Sequence, residues 1–190
     1  MTSWDNLAVV TQVSAQVARQ IPTWYGDGAA LLGALPDQRA RTWSFFMRYG
    51  VRLVDGTLTG LLVKIPREPG IATLEGAVAA EHLRPLAQQE YETLLAIAAA
   101  FEGSTSDSYC SVRPLAYLPE WNAIVMEELP AEPLKAIILR GRMMLNRDRD
   151  WVAVEQALAR AGTWLRLFHE RVGALKHEPF PAEEYERKIA

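Results

Sequence analysis

The stretch "RYGVRLVDGTLTGLLVKIPR", Arg48 to Arg67, decides the fold. Two apolar-rich runs, "RYGVRLV" and "TLTGLLVKI", flank Asp55-Gly56. That dipeptide readily takes the positive φ angles of a tight turn, so the stretch is predicted to be a β-hairpin. Its second run ends in "LLVKIPR", apolar enough for a buried strand except at Lys64. An ammonium is a strongly hydrated point charge, and placing one in apolar company is costly unless something meets it.

Upstream, Leu7, Val10, Val13, Val17 and Ile21 recur at three- and four-residue spacing, which predicts an amphipathic helix. "PTWYGDG" (22–28) is predicted to break it, and "LLGALPDQRARTWSFF" (31–46) is ambiguous, read as a short strand followed by a loop. Downstream, "PREPG" is a turn-rich break, and after a mixed polar-apolar stretch a helix is predicted from about Pro85 to Phe101. Proline suits a first helical turn, where no amide donor is needed. "GSTSDS" (103–108) reads as a loop, and "YCSVRPLAYL" and "WNAIVMEEL" as two further strands separated by Pro119-Glu120. Beyond Ala131 strand signals stop. "PLKAIILRGRMML" and "RDRDWVAVEQALARAGTWLRLFHERV" both read as helices. In the second, Trp151, Val154, Leu158, Ala161, Leu165, Phe168 and Val172 mark one apolar face. Strands followed by helices predict an α+β chain in two lobes, with a seam in the proline-rich "EELPAEP", Glu127 to Pro133. Three parts result: an N-terminal helix and turn (1–30), a sheet-bearing lobe (31–129) and the start of a helical lobe (130–190).

Composition excludes several classes of function. A net charge of −3, with no cluster of basic and aromatic residues, argues against nucleic acid as a partner. No apolar stretch approaches a membrane span, and "MTSWDNLAVV" lacks the basic start of a secretory signal. A single cysteine, Cys110, fits a reducing, cytoplasmic setting and reads as a quiet buried thiol. No paired Cys/His spacing of a metal site occurs. His169, beside Phe168, reads as a packing residue, His177 as surface loop, and "RGRMMLNRDRD" (140–150) as a solvated charged segment.

The helix beginning near Pro85 supplies a partner for Lys64. Its apolar stripe is Leu86, Leu94, Ile97 and Phe101, and the position completing the spacing between Leu86 and Leu94 is Glu90. A carboxylate on that face needs a cation or several donors. Lys64, the one cation of its apolar strand, is the expected partner, in a buried pair that would hold the ammonium rigidly for contact with phosphate oxygens.

The order of these parts is similar to a known family. A hairpin, a strand with "LLVKIPR", a helix with "QEYETLLAIAAAF", two strands ending in "IVMEEL" and a long helix with "GTWLRLFHERV" resemble the N-terminal part of the aminoglycoside phosphotransferases, which are kinase-like small-molecule kinases. The resemblance runs from about Leu32 to Val172. It implies a kinase-like N-lobe, an antiparallel sheet with a long inserted helix, plus the first helices of an incomplete helical C-lobe. It implies ATP as cofactor, with Lys64 on the α- and β-phosphates and Glu90 orienting Lys64. It also implies a hinge at "MEEL", where backbone groups near Glu127, Glu128 and Leu129 would bond the adenine edge.

Two features depart from the family. The segment expected to cover the phosphates, about Gln38 to Arg48, contains no glycine, which leaves Thr42 and Ser44 as candidate donors. The His-Gly-Asp catalytic loop is absent, since His82, His169 and His177 are followed by Leu, Glu and Glu. By the resemblance that loop, and with it Mg2+ binding, would lie beyond Ala190. The tail "EPFPAEEYERKIA" opens like a helix and stops before a cap. The expectation is therefore the nucleotide-binding part of a longer kinase acting on a small hydroxyl acceptor, inactive by itself and able to self-associate through the exposed face of its last long helix. The alternative is a non-catalytic, pseudokinase-like module that binds nucleotide or a partner.

Overall fold

The structure is a computed structural model and describes residues 7–102, 110–129, 132–143 and 147–172. The order of elements is α1 (Leu7–Tyr25), β1 (Ala30–Arg41), β2 (Ser44–Arg52), β3 (Leu58–Pro66), α2 (Leu74–Ala79), α3 (Arg84–Phe101), β4 (Pro114–Leu118), β5 (Ala123–Glu127), α4 (Leu134–Met143) and α5 (Arg147–Val172). The chain is α+β. Its strands form one antiparallel sheet in the order β1-β2-β3-β5-β4, so β5 returns between β3 and β4 after α3 has been inserted. Two compact units result: Met1–Ala98 with Ser111–Pro130, and Ala99–Cys110 with Ala131–Ala190.

In the first unit the hairpin forms as its sequence predicts. Gly56 takes φ 84°, the Asp55 carboxylate accepts from the Thr57 amide at 2.8 Å, and β2 pairs with β3 from Ser44–Pro66 to Arg52–Leu58. Alternation then assigns the two faces. Phe45, Met47, Tyr49 and Val51 on β2, with Leu61, Val63 and Ile65 on β3, point to one side and are buried. They share a core with Val10, Val13, Val17 and Ile21 of α1, so the N-terminal helix belongs to the same unit as the sheet. Within this core the Ser14 and Tyr49 hydroxyls lie 3.0 Å apart.

Several local expectations are corrected. α1 does not break at Pro22 but runs one turn further, to Tyr25. A proline so near the C-terminus forfeits little of the ladder, and the stop comes at Gly26, whose φ of 89° suits a left-handed cap and whose amide bonds the Pro22 carbonyl. The ambiguous 31–46 stretch contains a full strand, β1, that tolerates Gly33 and Pro36 because its register shifts between Leu32 and Asp37. The mixed stretch before α3 folds as α2, capped by Thr73, whose hydroxyl accepts from the Gly76 amide at 3.1 Å, and then a 3-10 turn, Glu81–Leu83. On α3 the stripe departs from the expectation at its start: Leu86 is exposed and Ala87 fully buried, whereas Glu90, Leu94 and Ile97 are half-buried and Phe101 is buried as expected.

In the second unit Phe101, Trp164 and Phe168 stack in series, with centroids 5.7 and 5.3 Å apart, and the Trp164 indole donates to the Cys110 carbonyl at 3.1 Å. Cys110 itself is exposed, contrary to the buried thiol expected, since its backbone and not its sulfur makes the contact. His169 meets Phe168 edge to face yet is exposed. The face of α5 read from its spacing divides: Val154 and Val172 are buried, whereas Trp151, Leu158 and Leu165 are exposed. The readings of 103–108, of His177 and of the tail from Glu178 lie outside the described residues, as does the side-chain reading of 140–150. No helix among the described residues is long and apolar enough to cross a membrane.

Burial pushes the Tyr49 hydroxyl up to about 12, against an ordinary 10, with the Ser14 contact pulling weakly the other way. The unfolded chain therefore loses this proton first, and stability should fall as pH rises from 10 through about 12. Unfolding free energies from urea titrations across that interval should decline by an amount on the order of 2 kcal/mol more in the wild type than in Tyr49→Phe. Parallel declines in the two proteins would contradict this.

Candidate functional site

The opposite face of the sheet carries the predicted site. Cross-strand pairing sets Phe46, Lys64 and Ile124 in one row and Arg48, Leu62 and Met126 in the next. α3 covers part of this face. The Tyr91 ring stacks on Tyr117 at 6.2 Å, and the Tyr117 hydroxyl donates to the Arg84 carbonyl at 3.3 Å. That docking brings Glu90 to Lys64, and Nζ donates to Glu90 Oε1 in a salt bridge. The pair is half-buried and not sealed as expected: the side chains keep 21% and 37% of their exposure. α3 lies at the rim, so the carboxylate meets the ammonium from one side. An ammonium has three donors, and one carboxylate oxygen occupies only one of them. Phe46 and Leu62, also half-buried, extend the face beside Lys64.

The "MEEL" residues separate across the sheet. Met126 is buried in the row with Leu62. Glu127 pairs with Leu61 on the α1 side, where its carboxylate accepts from Arg113 Nη1 at 2.8 Å. The Tyr25 hydroxyl is buried beside Glu127; burial first, then the Glu127 charge and hydrogen bonding to its carboxylate, raise it well above the ordinary phenol range. Glu128 turns to the Lys64 side, where both carboxylate oxygens lie 2.7 Å from Arg48 Nε. The amides of Glu127 and Glu128 are already committed, to the carbonyls of Arg113 and Gly60, both at 2.9 Å. Of the three backbone positions expected to be available, only Leu129 makes no hydrogen bond among the described residues. The ladder continues one residue past β5 and consumes the other two amides.

Of the two hydroxyls expected to serve as donors, Ser44 is unsuitable. It is buried and donates to the Trp43 carbonyl at 2.6 Å. Thr42 lies at the β1–β2 turn and lines an open cleft of about 540 Å³ with Arg41, Arg67, Gly70 and Ile71. Lys64 and Glu90 do not line this cleft. Sequence reasoning missed both the cleft and the Arg48–Glu128 pair. One signal for the second was present: glycine inside a strand often marks a close approach. A Cβ on Gly60 would lie 2.0 Å from Glu128 Oε2 and 2.8 Å from its Cβ. Among the described residues no three His, Cys, Asp or Glu side chains gather to hold a metal.

No protein-family model, curated protein or solved structure matches the chain.

Gly60→Ala is expected to cost about 1–3 kcal/mol through overpacking against Glu128. Adding Glu128→Ala should recover part of this, because the carboxylate is removed while the Cβ still presses. A double-mutant cycle by chemical unfolding measures the coupling, and strict additivity would refute the contact.

Proposed function

We propose that this chain is the ATP-binding part of a small-molecule kinase resembling the aminoglycoside phosphotransferases. The observation that carries the proposal is the Lys64–Glu90 pair, set on the half-open face of an antiparallel sheet by the helix inserted between β3 and β4. Glu90 fixes the ammonium on one side, and the donors left over meet the α- and β-phosphates as a point charge. Phe46 and Leu62, half-buried beside Lys64, offer an apolar surface for the base. The Leu129 amide then donates to the adenine edge, while the amides of Glu127 and Glu128 stay in the sheet.

Binding of this kind is positioning and charge neutralisation. Transfer of the γ-phosphate to the hydroxyl of a small acceptor needs, in addition, a group to take the hydroxyl proton and residues to hold Mg2+. No His-Gly-Asp occurs in the 190 residues. In this reading such groups belong to a longer parent protein, and the chain alone binds nucleotide without turning it over. The same absence favours a second reading, a non-catalytic module that uses the lobe to bind nucleotide or a partner.

The first test is thermal shift and calorimetry with Mg-ATP. Wild type should be stabilised, Lys64→Ala should bind about tenfold or more weakly, and Glu90→Gln should fall between them. Equal affinity of wild type and Lys64→Ala would remove the proposal. To separate the two readings, the parent protein is assayed for ATP-dependent phosphorylation of hydroxyl acceptors. Turnover abolished by Lys64→Ala identifies the kinase, and saturable ATP binding without turnover identifies the module.

A further inference from the structure

The cleft at the end of the β1–β2 turn is chemically unlike the Lys64 face. Its volume is about 540 Å³ and two arginines, Arg41 and Arg67, line it, with no carboxylate among the lining residues, in a chain of net charge −3. The nearest acid in sequence, Glu68, is held by the His82 ring. Positive charge is therefore concentrated where no side chain of the wall neutralises it.

Arg67 is built into place. Its amide donates to the Trp43 carbonyl at 3.0 Å, Nε to the Arg41 carbonyl at 2.8 Å and Nη1 to the Ile71 carbonyl at 3.0 Å, while its guanidinium lies 4.7 Å from the centroid of Phe45. A guanidinium has five N–H donors, so these two side-chain bonds leave three. Arg41 makes no side-chain hydrogen bond or ion pair among the described residues and is exposed at the cleft. Two neutral donors join them. Glu68 to Ile71 form a tight turn closed by the Ile71 amide on the Glu68 carbonyl at 3.1 Å, with Pro69 and then Gly70 at φ 108° in its centre. In such a turn the second central amide is not used by the turn itself, and Gly70 makes no hydrogen bond among the described residues. The Thr42 hydroxyl is the other.

We infer that this cleft is a binding site for a phosphate dianion, free or at the end of a small organic ester. A fixed guanidinium, a second free one, a hydroxyl and an unused amide are the donor set that phosphate oxygens recognise, and Arg forks suit it better than point charges. The cleft is larger than a phosphate needs, which leaves room for a small organic group. Lys64 and Glu90 do not line the cleft, which sets it apart from the proposed nucleotide contacts, although the pairing of Arg41 with Ser44 puts Arg41 on the Lys64 side of the sheet and Arg67 lies over Phe45 of the core face.

The experiment is titration of the chain with inorganic phosphate and with glycerol phosphate, at constant ionic strength, followed by amide NMR and thermal shift. The expected result is a saturable shift of the Gly70 amide resonance together with a raised Tm. Arg41→Glu, an exposed change that leaves every contact in the turn intact, should weaken binding about tenfold or more. Lys64→Ala should leave it unchanged, so this site and the nucleotide site fail or stand separately. Arg67→Lys, checked for folding by its Tm without ligand, should also weaken binding, because a lysine keeps the charge and loses the fork. Tighter binding of the ester identifies it as the source, tighter binding of inorganic phosphate identifies the free ion, and either upholds the site. No saturable shift at Gly70, undiminished binding by Arg41→Glu, or loss of binding in Lys64→Ala overturns it.

Discussion

A slip of one residue between β2 and β3 would carry Lys64 into the core and Val63 out of it. Nothing else in the first unit could then survive, because the valines and isoleucine of α1 require the face that Leu61, Val63 and Ile65 present. Register is held at one end by the Asp55-Gly56 turn and along the strands by burial of every second side chain. The functional proposal depends on this constraint as much as the stability does. Only in this register do Lys64, Leu62 and Gly60 share a face with Phe46 and Arg48, and only there can α3 bring Glu90 to the ammonium.

The Lys64–Glu90 pair illustrates a balance between burial and access. Fully buried, the two charges would lose more hydration than their attraction returns. Fully exposed, they would hold no fixed geometry, since surface pairs are worth little and are screened. At the rim of α3 the ammonium is oriented by one carboxylate and still reachable from the open side of the sheet. Arg48, in the next row, and Glu128 repeat this logic, with the carboxylate laid against Gly60 where no other residue would leave space.

Much of this was legible in the sequence. The hairpin follows from Asp55-Gly56 and alternation, α1 from its three- and four-residue spacing, and the Lys64–Glu90 contact from two charges out of place in apolar patterns. What the sequence concealed depends on distances between elements. The exposure of Leu86 beside a buried Ala87 reflects which side of its first turn α3 turns inward, which a helical repeat cannot report. The length of β1 was obscured by Gly33 and Pro36, residues that argue against a strand unless its register shifts there. The use of the Glu127 and Glu128 amides by the sheet is invisible from side chains. The phosphate-binding donor set joins the β1–β2 turn to the segment after β3, so no single stretch of sequence contains it.

β1 has a further consequence for the life of the protein in a crowded solution. It lies at the margin of the sheet, where one row of backbone donors and acceptors has no neighbouring strand among the described residues. A flat, apolar margin of this length would invite a second molecule to continue the sheet. The irregular step between Leu32 and Asp37, the proline within it, and the charges of Asp37, Arg39 and Arg41 all oppose that continuation. The features that made this strand hard to recognise are thus the ones that discourage the chain from polymerising through it.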